Sequence, residues 1–161
     1  GALPFFCAHS APRGGKQGGM TPPVLRKTKR SLPIALLRAR ERVMEPIRTM
    51  LADSGVTEQK WRVLRVLEET GEVEATIIAS EACLHLPSLS RILKSMETDG
   101  LVVRREDAVD RRKTLVVISE QGRAILTEHA AHSAAIYAQL EERMGREKLD
   151  QILDLLEELL D

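Results

Sequence analysis

Only between Gly100 and Ser119 does the apolar spacing of this chain fall to two residues; elsewhere Leu, Ile, Val and Met recur every three or four. The runs LVVRR and KTLVVIS, joined by the polar stretch EDAVDR, read as one β-hairpin with a loop longer than the tight two-residue type. With aromatic residues at 2%, Leu, Ile, Val and Ala must fill the interior, which disfavours a β-sandwich. The 161 residues suffice for one ordinary domain with a real core. The expected fold class is mainly α (α+β), with a single two-stranded hairpin set among helices.

The helices can be bounded from the same sequence. Ser31 is an N-cap candidate with Pro33 in the first turn. A helix is expected from there to about Asp53, with Leu37, Met44 and Leu51 in one row beside Val43, Ile47 and Met50. Pro46 falls inside that pattern and is expected to kink it. Thr57 caps a second helix, TEQKWRVLRVLEET, with Trp61, Leu64 and Leu67 on one face and Gly71 at its end. A short third helix, EATIIASEAC, is expected to turn Ile77, Ile78 and Cys83 inward. The fourth, PSLSRILKSMETD, begins at Pro87 after a few connecting residues, buries Leu89, Ile92, Leu93 and Met96, and stops at Gly100. After the hairpin, Ser119 caps a long helix from about Glu120 to Met144, and Gly145 separates it from a last helix, REKLDQILDLLEELL.

The 24 basic and 24 acidic side chains cancel only in total. Residues 1–40 hold eight basic residues and no acid, residues 84–119 hold seven basic and five acidic, and residues 120–161 hold four and ten. A basic arm and a basic middle beside an acidic end point to polyanion contact at some surfaces and a different job at others. The opening GALPFFCAHSAPRGGKQGGM is rich in Gly and Pro without an amphipathic period. It is expected to be disordered or in part foreign to the native chain, whose start could be Met20, so that residues 1–30 form a disordered basic arm. No apolar run approaches the roughly 18 to 20 residues of a membrane span. Cys7 and Cys83 lie far apart and make neither a disulfide framework nor a metal pair, which fits a reducing cytoplasm. No cofactor is called for, and no Ser-His-Asp, Cys-His or paired-carboxylate arrangement supports an enzyme.

Two short helices with a tight connection, the second polar and basic outside, make a helix-turn-helix candidate, and the charged hairpin directly after it makes a winged one. A helix entering the major groove needs a narrow, hydrogen-bonding outer face. Ser88, Ser90 and Ser95 supply it, with Arg91 and Lys94 as longer donors for guanine edges or phosphates. The wing adds Arg104, Arg105, Arg111, Arg112 and Lys113, and an arginine at its tip suits a narrow, electronegative minor groove. Asp110, two residues before Arg112, is near enough to hold that guanidinium by a bidentate pair.

The run WRVLRVLEETGEVEATIIASEACLHLPSLSRILKSMETDGLVVRREDAVDRRKTLVVISEQGRAIL resembles the winged-helix core of MarR-type transcriptional regulators. Asp107, Asp110 and Arg112 match that family's D-x-x-D-x-R wing pattern, and Ile118, Ser119 and Gly122 match its L-T-x-x-G-like step. The resemblance covers about residues 31–161. The segments SLPIALLRARER, TEQKWRVLRVL and ACLHLPSLSRIL look further like the branch that controls homoprotocatechuate and other aromatic-acid catabolism operons. His85 and Leu86 depart from the pattern expected before the recognition helix. The resemblance implies a winged helix-turn-helix core over 57–119 and a homodimer in which helices 31–53 and 120–161 intertwine. It also implies a pseudo-palindromic operator in double-stranded DNA and a small aromatic carboxylate or phenolic effector, without a membrane. Independently, Leu149, Ile152, Leu153, Leu156, Leu159 and Leu160 make a stripe too wide for a surface helix, and a symmetric partner is the simplest cover.

Other roles stay open beside these. Arg38, Arg40 and Arg42 could clamp the effector's carboxylate, though their spacing keeps all three from sharing one face; they could equally be a solvated face paired with Glu41 or Glu45. Trp61 is either core or a wall of the effector pocket. Cys83 is a redox sensor or an inert small hydrophobe, and His129 and His132 would need a further ligand to hold a metal. Arg26, Lys27, Lys29 and Arg30 could track phosphates or belong to a soluble tail. The reading is a repressor released by its effector. The alternative is a winged-helix adaptor for protein interaction without sequence-specific DNA binding, which would not need Arg91, Lys94 and Arg112 exposed and basic.

Overall fold

The computed structural model describes residue 25 and residues 27–160; the expectations for residues 1–24 and Arg26 lie outside them. By its contacts the chain divides into two units, residues 1–36 and 37–161. In the first, a single turn of 3-10 helix at Thr28–Arg30 leads to Ser31, whose carbonyl accepts the Ala35 N–H at 2.9 Å and so opens α1 (Leu32–Leu51). Pro46 stands inside α1 without ending it.

In the second unit follow α2 (Glu58–Thr70), β1 (Val73–Glu74), α3 (Ala75–Glu81), α4 (Leu86–Thr98), β2 (Val102–Glu106), β3 (Thr114–Ile118), α5 (Glu120–Met144) and α6 (Arg146–Glu157). The Thr57 side chain accepts from the Lys60 N–H at 3.3 Å, satisfying one of the free donors at the start of α2. The hairpin forms as β2 and β3, antiparallel, with Val103 opposite Val117 and Arg105 opposite Leu115. The sheet has three strands rather than two, in the order β1-β3-β2, because Val73 and Glu74 pair with Val116 and Leu115 on the free edge of β3. A two-residue strand has no alternation for a sequence pattern to reveal.

One face each of α2, α3 and α4 closes on one side of this small sheet. Val63, Leu64 and Leu67 of α2, Ile78 and Ala79 of α3, and Leu89, Leu93 and Met96 of α4 meet Leu101, Val102, Val116 and Ile118. Each buried aliphatic side chain contributes roughly 1.5–3 kcal/mol relative to exposure. A second cluster joins Met50 and Leu51 to Val56 and Trp61, with Ile125, Leu126 and Ile136 of α5 against them. The expected inward set of α3 needs correction. Ile78 is buried, but Ile77 and Cys83 are exposed, and Ala79 and Ala82 take the inward places. The helix has only seven residues, and the chain leaves it through a left-handed Cys83 (φ 51°), which swings that side chain off the buried face. Ile92 is partly buried, packed against the edge of the same core.

The step from β3 to α5 is the tightest in the fold. The Ser119 hydroxyl donates to the Gly100 carbonyl at 2.6 Å and accepts the Gly122 N–H at 3.0 Å, while the Ser119 N–H reaches the Leu101 carbonyl at 3.1 Å. Gly122 is buried so close that a Cβ there would press into the Leu101 carbonyl oxygen and lie 2.8 Å from Ile118 Cγ1. By contrast, α6 buries only Leu149; Ile152, Leu153, Leu155, Leu156 and Leu159 are exposed, as are Leu37 and Val43 of α1. No helix among the described residues is long and apolar enough to cross a membrane.

Because backbone, not a flexible side chain, occupies the space beside Gly122, Gly122→Ala is expected to lower the free energy of unfolding by about 1–3 kcal/mol through overpacking. Urea unfolding of the two proteins side by side measures it, and equal midpoints would show that the step has slack.

Candidate DNA-binding surface and ligand cleft

Helical spacing turns the small polar side of α4 outward when its Leu89, Leu93 and Met96 go in. Ser90, Arg91, Lys94 and Ser95 are exposed and Ser88 is half-buried. Ser90 Oγ donates to the Leu86 carbonyl at 3.1 Å, which leaves its lone pairs outward, and Ser95 Oγ lies 3.5 Å from Asp99. Arg91 and Lys94 make no ion pair or side-chain hydrogen bond among the described residues.

The wing sorts its cations into two groups. Arg104 pairs with Glu97 of α4 at 3.0 Å, Arg105 pairs with Glu72, and Lys113 pairs with Glu74 of β1 at 2.7 Å. These three brace the hairpin from Arg104 within β2 to Lys113 beside the loop, and the Glu74 carboxylate holds the Lys113 ammonium above its ordinary value. At the tip, Asp107 Oδ1 accepts the N–H groups of Val109 at 2.6 Å and Asp110 at 2.8 Å. Asp110 in turn accepts from Arg112 Nε at 3.0 Å and Nη2 at 3.2 Å, the bidentate pair expected from the spacing. The Arg112 side chain is nevertheless 91% exposed. Arg111 is exposed and has no partner among the described residues. The tip therefore offers one posed and one free arginine to solvent.

A second feature lies among α1, α2, α3 and α5, a cleft of about 880 Å³. Ile47, Val66, Ala82 and Ile136 give it apolar walls, Trp61 and Tyr137 give it two rings, and Arg42, Arg62, Arg65 and Arg143 give it positive charge against Glu45 and Glu81. A smaller cleft of about 550 Å³ shares Trp61, Arg65, Ser133 and Tyr137. Trp61 is a buried core residue whose ring also lines both clefts.

Of the three helix-one arginines, only Arg42 lines the cleft, and it also pairs with Glu45 at 3.1 Å. Arg38 is exposed and does not line it, and Arg40 is spent on Glu41 and Glu58. Arg48 joins Arg40 on Glu58 at 3.1 Å, tying α1 to α2. Burial opposes ionisation of Glu58, but the Arg48 and Arg40 guanidiniums outweigh it and hold the carboxyl below its ordinary value. Lys60 similarly ties α2 to Asp99 at the end of α4, at 2.6 Å.

The arginines of α2 and the Tyr137 ring were not singled out from sequence. Arg62 and Arg65 follow the only tryptophan by one and four residues, and that was the available signal. His129 and His132 part company: His129 lies edge-on to Trp61 with ring centres 6.0 Å apart, whereas His132 lines the large cleft. Among the described residues no group of three or more His, Cys, Asp or Glu could hold a metal ion.

With this geometry in view, the comparisons with known proteins agree on one kind of molecule. A sequence model of the MarR family matches residues 56–114. The homoprotocatechuate degradative operon repressor of Escherichia coli is 38% identical over 130 residues, which cover 81% of this chain and 88% of the relative. Among solved structures, NadR in complex with 4-hydroxyphenylacetate is 35% identical with a TM-score of 0.72, covering 81% of this chain and 95% of that one. The transcriptional repressor CouR bound to a 23-mer DNA duplex is 28% identical with a TM-score of 0.74, covering 83% and 94%.

The tip of the wing yields a pH test. Asp107 is held below its ordinary value by the N–H groups of Asp110 and Val109, and Asp110 by the Arg112 side chain. What their ionised forms contribute to the turn is therefore complete above the ordinary value of 3.8 and is lost as pH falls through the lower folded-state value. In an NMR titration the Val109 and Asp110 amides should stay fixed down through 3.8 and move together only below it. Movement centred on the ordinary value would show that the turn does not rest on these carboxylates.

Proposed function

The chain belongs to the MarR family of DNA-binding transcriptional regulators, which are not enzymes, and from that premise we propose that it is a repressor controlled by a small aromatic acid or phenol. It acts as a homodimer on a two-fold operator, with α4 of each subunit in the major groove and the wing tip at the flanking minor groove. The observation that carries the DNA role is the exposed Arg91 and Lys94 on α4, unpaired among the described residues, beside a wing whose Arg104, Arg105 and Lys113 are tied down while Arg111 is free among the described residues and Arg112 is posed in solvent.

The division of labour follows from chemistry. Arg91 and Lys94 reach base edges or phosphates, and Ser90 and Ser95 add short hydrogen bonds that fit a narrow groove. Arg111 and Arg112 meet phosphate or minor-groove potential, and the Asp110 pair removes rotamer freedom that Arg112 would otherwise lose on binding. The exposed leucines of α6 and the exposed Leu37 and Val43 of α1 are the surface a second subunit covers. CouR, bound to a 23-mer DNA duplex, supports a DNA-binding role for this fold.

The cleft receives the effector. An anionic aromatic compound has to be desolvated, and that is affordable where cations meet its carboxylate and apolar walls meet its ring. Arg42, Arg62, Arg65 and Arg143 with Trp61, Ile47 and Tyr137 supply both. The name of the Escherichia coli relative and the 4-hydroxyphenylacetate in NadR support an aromatic acid of that size. Arg38 and Arg40 do not reach this cleft, so Arg42 is the helix-one arginine retained in the clamp. Release follows from linkage: the ligand lowers DNA affinity by the factor by which it prefers the DNA-incompetent arrangement.

A DNA site selected by the protein from a random duplex library tests the reading. On that site Arg91→Ala should cost about 1–3 kcal/mol and relax base preference at one position. Arg112→Ala should weaken binding to all sequences and reduce the salt slope by about one unit. Selection that returns no common sequence would favour the adaptor alternative. Sedimentation showing a folded monomer at micromolar concentration would remove the two-fold operator.

A further inference from the structure

Arg62 touches two places at once. It lines the cleft from α2, next to Trp61, and its Nη1 donates to the carbonyls of Ala82 at 2.6 Å and Cys83 at 3.3 Å. Those carbonyls belong to the turn that leaves α3 and leads into α4. The turn is constrained, since Cys83 sits at φ 51°, a left-handed conformation that a residue with a Cβ adopts only when its surroundings impose it.

The rest of the guanidinium is uncommitted. Arg62 Nε is buried and makes no hydrogen bond, and Nη2 makes none among the described residues. The other α2 arginine of the cleft is paired with a carboxylate, Arg65 with Glu69 at 2.9 Å, and Arg42 of α1 is paired with Glu45. Among the described residues no carboxylate pairs with Arg62. A buried N–H without an acceptor is uncommon in folded proteins and calls for an explanation. Nε is closed off by the packing around it, so Nη2 is the donor left for a ligand carboxylate, while the Nη1 donors keep the turn.

We propose that Arg62 is a positioning residue that couples the cleft to α4. A ligand carboxylate docks on its Nη2, fixes the guanidinium, and through the Nη1 bonds fixes the Ala82–Cys83 turn from which α4 starts. The proposal rests on the reading of the cleft as the effector site and adds a discrimination to it. A carboxylate engages Arg62 and shifts DNA affinity, whereas a neutral phenol of the same size fills the cleft without engaging that cation and leaves DNA affinity unchanged.

The exposed Cys83 thiol reports on the turn directly. Its alkylation by N-ethylmaleimide, followed at that peptide by mass spectrometry in the full chain, is compared without ligand, with 4-hydroxyphenylacetate, and with its neutral counterpart 4-(2-hydroxyethyl)phenol. The acid should slow Cys83 alkylation several-fold and the neutral compound should not. In parallel, the acid should weaken operator binding within the about 5- to 150-fold span usual for coupled sites. In Arg62→Lys and Arg62→Gln the acid should still bind by calorimetry, at reduced affinity, with its effects on Cys83 and on operator binding both near one.

Equal protection of Cys83 by acid and neutral phenol in the parent protein overturns the proposal without any variant. So does undiminished coupling in Arg62→Lys, which keeps charge and stem, and so does complete loss of acid binding there, which would make Arg62 a plain binding group. Each of those results leaves the effector reading standing. Failure of both compounds to bind the parent protein overturns the effector reading as well.

Discussion

The side chains of α2 have to satisfy two cores and four neighbouring helices at once, and that constraint organises the molecule. Its inward face puts Val63, Leu64 and Leu67 into the core beneath the sheet, while Trp61, at the other end of the same face, belongs to the cluster with Met50, Leu51 and Val56. Its flanks carry the polar ties. Glu58 holds Arg40 and Arg48 of α1, Lys60 holds Asp99 at the end of α4, and Arg62 holds the carbonyls after α3. Thirteen residues thereby fix where the recognition helix, the wing and the first helix of the larger unit stand. Exposed ion pairs contribute little stability each, but Glu58 and Lys60 are largely sheltered, so these pairs specify position more than they add energy.

The same economy governs charge. A count of cations in the wing suggests five phosphate contacts, yet three of the five are neutralised by Glu72, Glu74 and Glu97. What remains for a polyanion is concentrated at the wing tip and on α4. A small, well-placed set of free donors favours register over bulk attraction, because each phosphate contact adds sequence-independent affinity.

Most of the helical frame was legible in the sequence because capping and period are local. Thr57, Ser119, Gly71 and Gly145 stand at the ends assigned to them, and the wing strands fall within a residue of the alternating runs. The Asp110–Arg112 pair was legible for the same reason, being two residues apart. What was not legible depends on the third dimension. β1 is too short to show a pattern, and the inward face of α3 is decided by the left-handed exit at Cys83. In the cleft, charge alone did not show which arginines face it. Arg40 carries the same guanidinium as Arg62, but Glu58 across the α1–α2 contact claims it first. The α2 arginines beside Trp61 could be ranked only once α5 was known to lie opposite them.

The Ser119 junction has a kinematic consequence. One residue bonds the end of α4 through the Gly100 carbonyl, the root of the wing through the Leu101 carbonyl, and the first turn of α5 through the Gly122 N–H. With Gly122 seated against the same carbonyl, no hinge remains between recognition helix, wing and the start of α5. These three elements turn as one body, and α5 acts as its lever arm. Any reorientation has to be taken up farther along α5, where Ala130, Ala131, Ala134 and Ala135 put little side-chain bulk in the way of sliding.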